Sequence, residues 1–171
     1  MIVGIDPNRC MFAVNILDEL TGENIAWYES RLKRKDKFEN AQKWQEYILH
    51  EVDALFNRIY QECRFKPPIL VVTEQQRGRV MAIMEQTLFV CAKKRHWNIV
   101  IKHPQTWKKE TQLHSGGGNK KNKIEAEKRI KPMLEIFLQR NIDKKERIHD
   151  LCDARLLAES GIRKDPKTTD I

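Results

Sequence analysis

A mixed α/β fold is predicted: a five-stranded sheet with three antiparallel and two parallel strands, flanked by helices. Two observations carry this. Three short apolar runs open the chain, separated by the turn-forming stretches Pro7-Asn-Arg9 and Asp18-Glu-Leu-Thr-Gly22. After them, strand-like and helix-like segments alternate, which is the pattern of parallel additions to a sheet. At 171 residues the chain is long enough to bury one core. No internal repeat or linker divides it, so a single domain over 1–161 is expected, followed by a polar tail over 162–171.

Met1 to Ile5 reads as a buried strand, Met11 to Leu17 as a second and Asn24 to Ser30 as a third, together a meander. A basic stretch, Arg31 to Lys37, then leaves the sheet. Over Phe38 to Glu62 the apolar residues Trp44, Ile48, Val52, Leu55 and Ile59 fall on one stripe of a helix. Pro67-Pro68 ends that helix and launches the strand Ile69 to Thr73, which lacks alternation and so reads as buried on both faces. A helix over Arg79 to His96 turns Val80, Ile83, Met84, Leu88 and Cys91 inward, and Asn98 to Ile101 is a short fifth strand. Pro104 opens a helical turn through Lys109. The glycine cluster in Leu113 to Asn119 reads as a mobile loop, followed by a basic helix over Lys121 to Arg140. The final helix is expected over Lys144 to Ser160, with Gly161 as its C′ residue, and the last ten residues as a frayed end.

The net charge of +8 is concentrated. Between Lys102 and Lys131 nine basic residues face three acidic ones, so most of the surplus lies in one segment. A charge run by itself is usually a solvated face; beside a cluster of acids, binding to phosphates becomes the better explanation. Cys10, Cys63, Cys91 and Cys152 are widely separated with no CxxC pair, which argues against a zinc site or disulfide framework and for reduced thiols. Met1 leads directly into a strand, without a signal-like segment, and no apolar run approaches membrane-spanning length. A soluble intracellular protein with no membrane partner is expected. The cytoplasm is the expected compartment, with the mitochondrial matrix left open.

The acids carry the chemistry. Asp6 ends the first apolar run, Glu74 ends the run Ile69 to Thr73, and Asp150 and Asp153 lie three apart in the last helix, on one face of it. Two carboxylates ending buried strands and two on a helix face are able to converge on one point and hold divalent cations. Each has a plainer explanation. For Asp150 and Asp153 alone, surface acids are commoner. The start Val-Gly-Ile-Asp also opens sugar kinases and actin-like ATPases, but there glycines and a threonine follow to hold phosphate, and here Pro7-Asn8-Arg9 follows. For Glu74 the competing explanation is a salt bridge to Arg77 or Arg79. The conjunction of the positions favours a site, since the C-terminal ends of buried parallel strands are where α/β sheets place their chemistry.

Taken in order, Gly4-Ile-Asp6-Pro7, Val72-Thr-Glu74-Gln-Gln-Arg77, the Pro104 strand exit, the lysine-rich segment and His149-Asp150-Leu-Cys-Asp153-Ala154 resemble the RuvC-like Holliday junction resolvases of the RNase H-like superfamily. The resemblance spans nearly the whole chain and rests on the order and spacing of the set. Glu74-Gln-Gln-Arg77 is closer to the poxvirus and fungal mitochondrial branches than to the bacterial one, where an aromatic residue near this position wedges the junction; Arg77 stands there instead.

The resemblance implies an RNase H-like fold and a homodimer whose paired sites nick symmetric strands of a four-way DNA junction, leaving 5′-phosphate and 3′-hydroxyl ends. It implies that Asp6, Glu74, Asp150 and Asp153 hold two Mg²⁺ ions, which Mn²⁺ can replace, with Asp6 bridging them. It implies a catalytic lysine in the basic segment, for which Lys121 is the best match and Lys108 the second. Arg77, Lys108, Lys109, Lys120 and Lys123 are the expected DNA-binding residues. The dimer face is expected on the helix Phe38 to Glu62 or the helix Arg79 to His96. Two rival functions remain. An RNase H that cuts RNA in RNA–DNA hybrids would place an acid in the first long helix, where Glu46 and Glu51 stand. A non-catalytic junction-binding module would gain nothing from acids facing phosphates.

Overall fold

The computed structural model describes residues 1–113 and 118–162. Most of the expected glycine loop, and residues 163–171 of the expected polar tail, lie outside the described residues. Strand β1 (Ile2–Asn8) pairs antiparallel with β2 (Met11–Leu17), and β2 pairs antiparallel with β3 (Asn24–Arg31). On the other side of β1, β4 (Leu70–Glu74) and then β5 (Ile99–Lys102) add in parallel. The sheet order is β3-β2-β1-β4-β5, with β1 at its centre.

The turns form for local reasons. Asn8 Oδ1 accepts the N–H groups of Cys10 at 2.8 Å and Met11 at 3.0 Å. Asp18 Oδ1 accepts those of Leu20 and Thr21, and Gly22 supplies the positive φ of 72° that closes the second hairpin. The first hairpin is tight enough for β1 to run on to Asn8, so Asp6 stands inside the strand, paired with Ala13, rather than beyond its end. Pro7 is tolerated in this central strand because pairing with β4 stops at Ile5 and leaves that side of β1 open.

Alternation along the strands sends side chains to two layers. Val3, Ile5, Phe12, Val14 and Val71 pack against α1 (Ala41–Glu62) and α2 (Arg79–Lys94) through Trp44, Ile48, Val52, Phe56, Met84 and Leu88. Ile2, Leu17, Trp27 and Val72 face α3 (Pro104–Glu110), α4 (Gly118–Leu138) and α5 (His149–Ser160), meeting Trp107, Ile130, Leu134, Leu156 and Leu157. The four cysteines are free, and three of them are buried. Among the described residues no helix is long and apolar enough to cross a membrane.

Several boundaries differ from expectation. Helix α1 starts at Ala41 rather than Phe38, because the Asn40 side chain accepts the Lys43 N–H at 2.9 Å and caps it; Phe38 lies outside, against Tyr47. Helix α5 starts at His149 rather than Lys144. Asp143 folds the intervening chain into a turn, its side chain accepting the Lys145 N–H and its carbonyl the Glu146 N–H. In α2, Val80 and Ile83 are only partly buried, and Met81 takes the inward position. Gly161 has φ −83°, not the left-handed geometry of a C′ glycine. A side chain is excluded there by contact instead: a Cβ would come within 2.8 Å of Ile2 and 2.9 Å of Val72.

Candidate active site

The site begins with a close approach. A Cβ on Gly4 would lie 2.0 Å from the Ala154 carbonyl oxygen and 2.5 Å from the Ala158 nitrogen, so α5 rests directly on the backbone of β1. Small residues on both elements permit this contact. Trp27 fixes the start of α5 from the side, its Nε1 donating to the Leu151 carbonyl at 3.0 Å. Asp6 lies two residues from Gly4 and faces the same layer. The register of β1 and β4 runs through Ile5 and Thr73, which sets Asp6 beside Glu74. The first turns of α5 then carry Asp150 and Asp153 to the same place.

The four acids line one cleft of about 680 Å³, together with Asn8, Gln76, Arg77, His103, Lys108 and Lys123. Desolvation raises the Asp6 carboxyl well above the ordinary carboxylate range, and the charges of Asp153, Glu74 and Asp150 add to it while Lys123 opposes it. Asp153 is pushed up to about 7, first by desolvation and then by Glu74, with Asp150 adding and Lys108 and Lys123 opposing. Glu74 is raised by desolvation, against a hydrogen bond from Trp107 and the charges of Lys108, His103 and Arg77. Such mutual repulsion among half-buried acids is what a bound cation relieves.

Two of the acids are held by neutral donors. Trp107 Nε1 donates to Glu74 Oε2 at 2.8 Å, and Asn8 Nδ2 donates to Asp150 Oδ2 at 2.8 Å. Sequence reasoning assigned neither Trp107 nor Asn8 to the site. Asn8 carried a signal as a turn residue, but its bond to Asp150 crosses 142 residues of sequence and is visible only in three dimensions. Glu74 forms no salt bridge with Arg77 or Arg79 among the described residues, so the plainer explanation of that acid does not hold.

The lysines are distributed differently from expectation. Lys108 and Lys123 line the cleft, whereas Lys109, Lys120 and Lys121 are exposed and do not. The helical period decides this: Asn122, Ala126 and Ile130 are the buried stripe of α4, which places Lys123 at the cleft and turns Lys121 to solvent. Arg77 lines the cleft from the β4–α2 connection. Glu46 and Glu51, on α1, do not line it.

The donors are hard oxygens, the chemistry Mg²⁺ selects, and each tethered acid keeps a second oxygen for a ligand. Among the described residues no three His, Cys, Asp or Glu side chains are gathered closely enough to hold a metal ion as they stand, so the four acids line a shared cleft rather than a formed ligand set. A spread carboxylate set is the kind that could hold Mg²⁺, which keeps several waters and takes few protein ligands.

Sheet order, the helix seated on the central strand and the layer of helices on each face define an RNase H-like fold. Solved structures similar to this protein include Thermus thermophilus RuvC, with TM-score 0.60 and 17% identity over 93% of this chain and 90% of that one, and the same species' RuvC in complex with a Holliday junction substrate, with TM-score 0.58 and 15% identity over the same shares. Fowlpox virus resolvase, in complex with substrate Holliday junction DNA, is similar with TM-score 0.58 and 12% identity over 95% of this chain and 98% of that one. At these identities the likeness establishes a common fold. No family model matches the chain, and no curated protein matches it.

Proposed function

We propose that this protein is a metal-dependent endonuclease that resolves four-way DNA junctions. One observation carries the reading: acids from β1, β4 and α5 meet in a single cleft beside Lys108 and Lys123, in a chain of net charge +8. The Holliday junction DNA held by the structurally similar RuvC and fowlpox resolvase supports this choice of substrate.

In this reading Asp6, Glu74, Asp150 and Asp153 hold two Mg²⁺ ions, or Mn²⁺ in their place. Bound there, the ions supply an activated water and a stabilised leaving oxygen for phosphodiester hydrolysis, leaving 5′-phosphate and 3′-hydroxyl ends. Trp107 and Asn8 orient Glu74 and Asp150. Lys123 and Lys108 face the scissile phosphate and offset its growing charge; Lys108 is the second sequence candidate for that role, and Lys123 takes the place of Lys121 in it. Arg77 binds the backbone within the cleft, and Lys109 and Lys120 bind it outside. The protein acts as a homodimer, one site for each of two symmetric strands. Exposed Leu49 on α1 and Phe89 and Val90 on α2 support a dimer contact on the face away from the cleft.

Incubating the protein with end-labelled four-way junction, linear duplex and RNA–DNA hybrid, in Mg²⁺, Mn²⁺ and EDTA, tests the proposal. Paired nicks in the junction that ligase can seal, abolished by EDTA, are expected. Preferential cutting of the hybrid would make the protein an RNase H, which the absence of Glu46 and Glu51 from the cleft lining disfavours. Binding without cutting would make it a junction-binding module.

A further inference from the structure

The acidic cleft does not end at Asp150. A second cleft of about 900 Å³ shares Asn8, Lys123 and Asp150 with it, so the two adjoin along these residues. The second cleft adds arginines from three separate places: Arg9 in the β1–β2 turn, Arg31 at the end of β3, and Arg140 and Arg147 ahead of α5. Arg140 is neutralised by Glu146 at 2.6 Å. The others are not. Arg9 and Arg31 form no ion pair among the described residues, and the Arg147 guanidinium lies 3.1 Å from the His149 ring rather than against a carboxylate. All three are exposed. Glu29 lines the same cleft as Glu146 and Asp150, and its carboxyl is pushed up by desolvation, with Arg31 and Arg147 opposing and Asp150 and Glu146 adding.

Exposed arginines that form no ion pair, converging from distant parts of the chain, make an anion site of positive potential, because with Lys123 and Arg140 the cationic side chains of the cleft outnumber its carboxylates Glu29, Glu146 and Asp150. Its walls also include the apolar Met11, Leu138 and Leu151. Backbone phosphates with attached sugars and bases match such a lining, since nucleic-acid grooves combine cationic contacts with apolar or aromatic surface.

The geometry points to this second cleft as the bed of the DNA strand on one side of the scissile phosphate, with Arg9, Arg31 and Arg147 each facing a backbone phosphate. This rests on the acidic cleft being the cutting site. Arg77 lines only the first cleft, so it serves phosphates at the cut or on its other side.

The test uses the full chain, a triple variant (Arg9→Ala, Arg31→Ala, Arg147→Ala), the matching triple lysine variant, and Arg77→Ala, with folding checked by circular dichroism. Junction affinity is measured against salt in EDTA. It is also measured on junctions carrying one neutral methylphosphonate at successive positions flanking the cut. The triple alanine variant should lower the slope of log affinity against log salt by about 0.9 for each phosphate it no longer neutralises, and the lysine variant should restore it. The alanine variant should become insensitive to methylphosphonates on one side of the cut only, while Arg77→Ala keeps that sensitivity. An unchanged salt slope, or sensitivity retained on both sides, overturns the inference. A parent protein that cuts no junction overturns the proposed function instead, and the salt slopes still report whether these arginines bind phosphate.

Discussion

The two faces of the sheet follow opposite rules. On the α1 and α2 face, the side chains from β1 and β2 are wholly buried apolar residues, with Phe12, Val14, Ile16, Phe56 and Met84 all at zero exposure. On the α5 face, the same central strand presents Ile2, a glycine, an aspartate and an asparagine, and a helix of small residues lies directly on it. One face stores stability in packing. The other carries desolvated, mutually repelling carboxylates with raised proton affinities. A strand's alternation lets one segment, Ile2–Asn8, serve both ends without compromise.

The largest expected effect separates the faces outright. Asp6→Asn should lower junction cleavage by more than about a thousandfold, at least the loss seen for a transition-state donor, while junction binding holds or tightens because negative charge near phosphate is removed. Gel-shift and single-turnover assays read the two quantities. Residual cleavage near the parent rate at saturating Mg²⁺ would take Asp6 out of the chemistry.

Phe56→Ala, on the opposite face, should cost about 3–5 kcal/mol in urea unfolding, as for other buried aromatics, yet leave the rate per folded molecule unchanged. Gly4→Ala is its counterpart. Its new methyl group meets the α5 backbone, so about 1–3 kcal/mol of overpacking should come with a disproportionate loss of cleavage as Asp150 and Asp153 shift. Equal activity losses in the two variants at matched stability would erase the division between faces.

Next comes the division within α4. Lys123→Ala should slow saturated single-turnover cleavage by roughly a hundredfold, whereas Lys121→Ala should change the saturated rate little and weaken binding slightly. The reverse ranking would return the catalytic role to Lys121.

The smallest effect is on stability with pH. Asp153 has a folded value of about 7 against an ordinary 3.8. An acid whose folded value is raised stabilises the fold fully below its unfolded value and loses that contribution as pH rises through the folded one. The metal-free protein should therefore melt at a lower temperature at pH 8 than at pH 5, Asp6 acting in the same direction. Asp153→Asn should flatten the trend, and Mg²⁺ should restore stability at pH 8. A metal-free melting temperature that rises toward pH 8 would contradict the crowding of these acids.

Sequence alone determined the strand-rich opening, the two buried-face helices, the parallel additions and the identity of the four acids. These follow from local patterns: alternation, the 3.6-residue stripe, turn chemistry at Asp18 and Gly22, and carboxylates placed at strand ends. Tertiary structure decided the rest. Asp6 fell inside β1 because hairpin pairing, not hydrophobicity, ends that strand. Lys123 replaced Lys121 beside the acids because the docked face of α4 sets its rotation, and a lysine-rich run carries too weak a stripe to reveal it. Trp107 and Asn8 joined Glu74 and Asp150 through bonds spanning 33 and 142 residues. Gly4 and Gly161 are required by closeness to atoms far along the chain, not by backbone angle. A sequence states its local preferences residue by residue, but which distant surfaces touch is settled only when the layers close on one another.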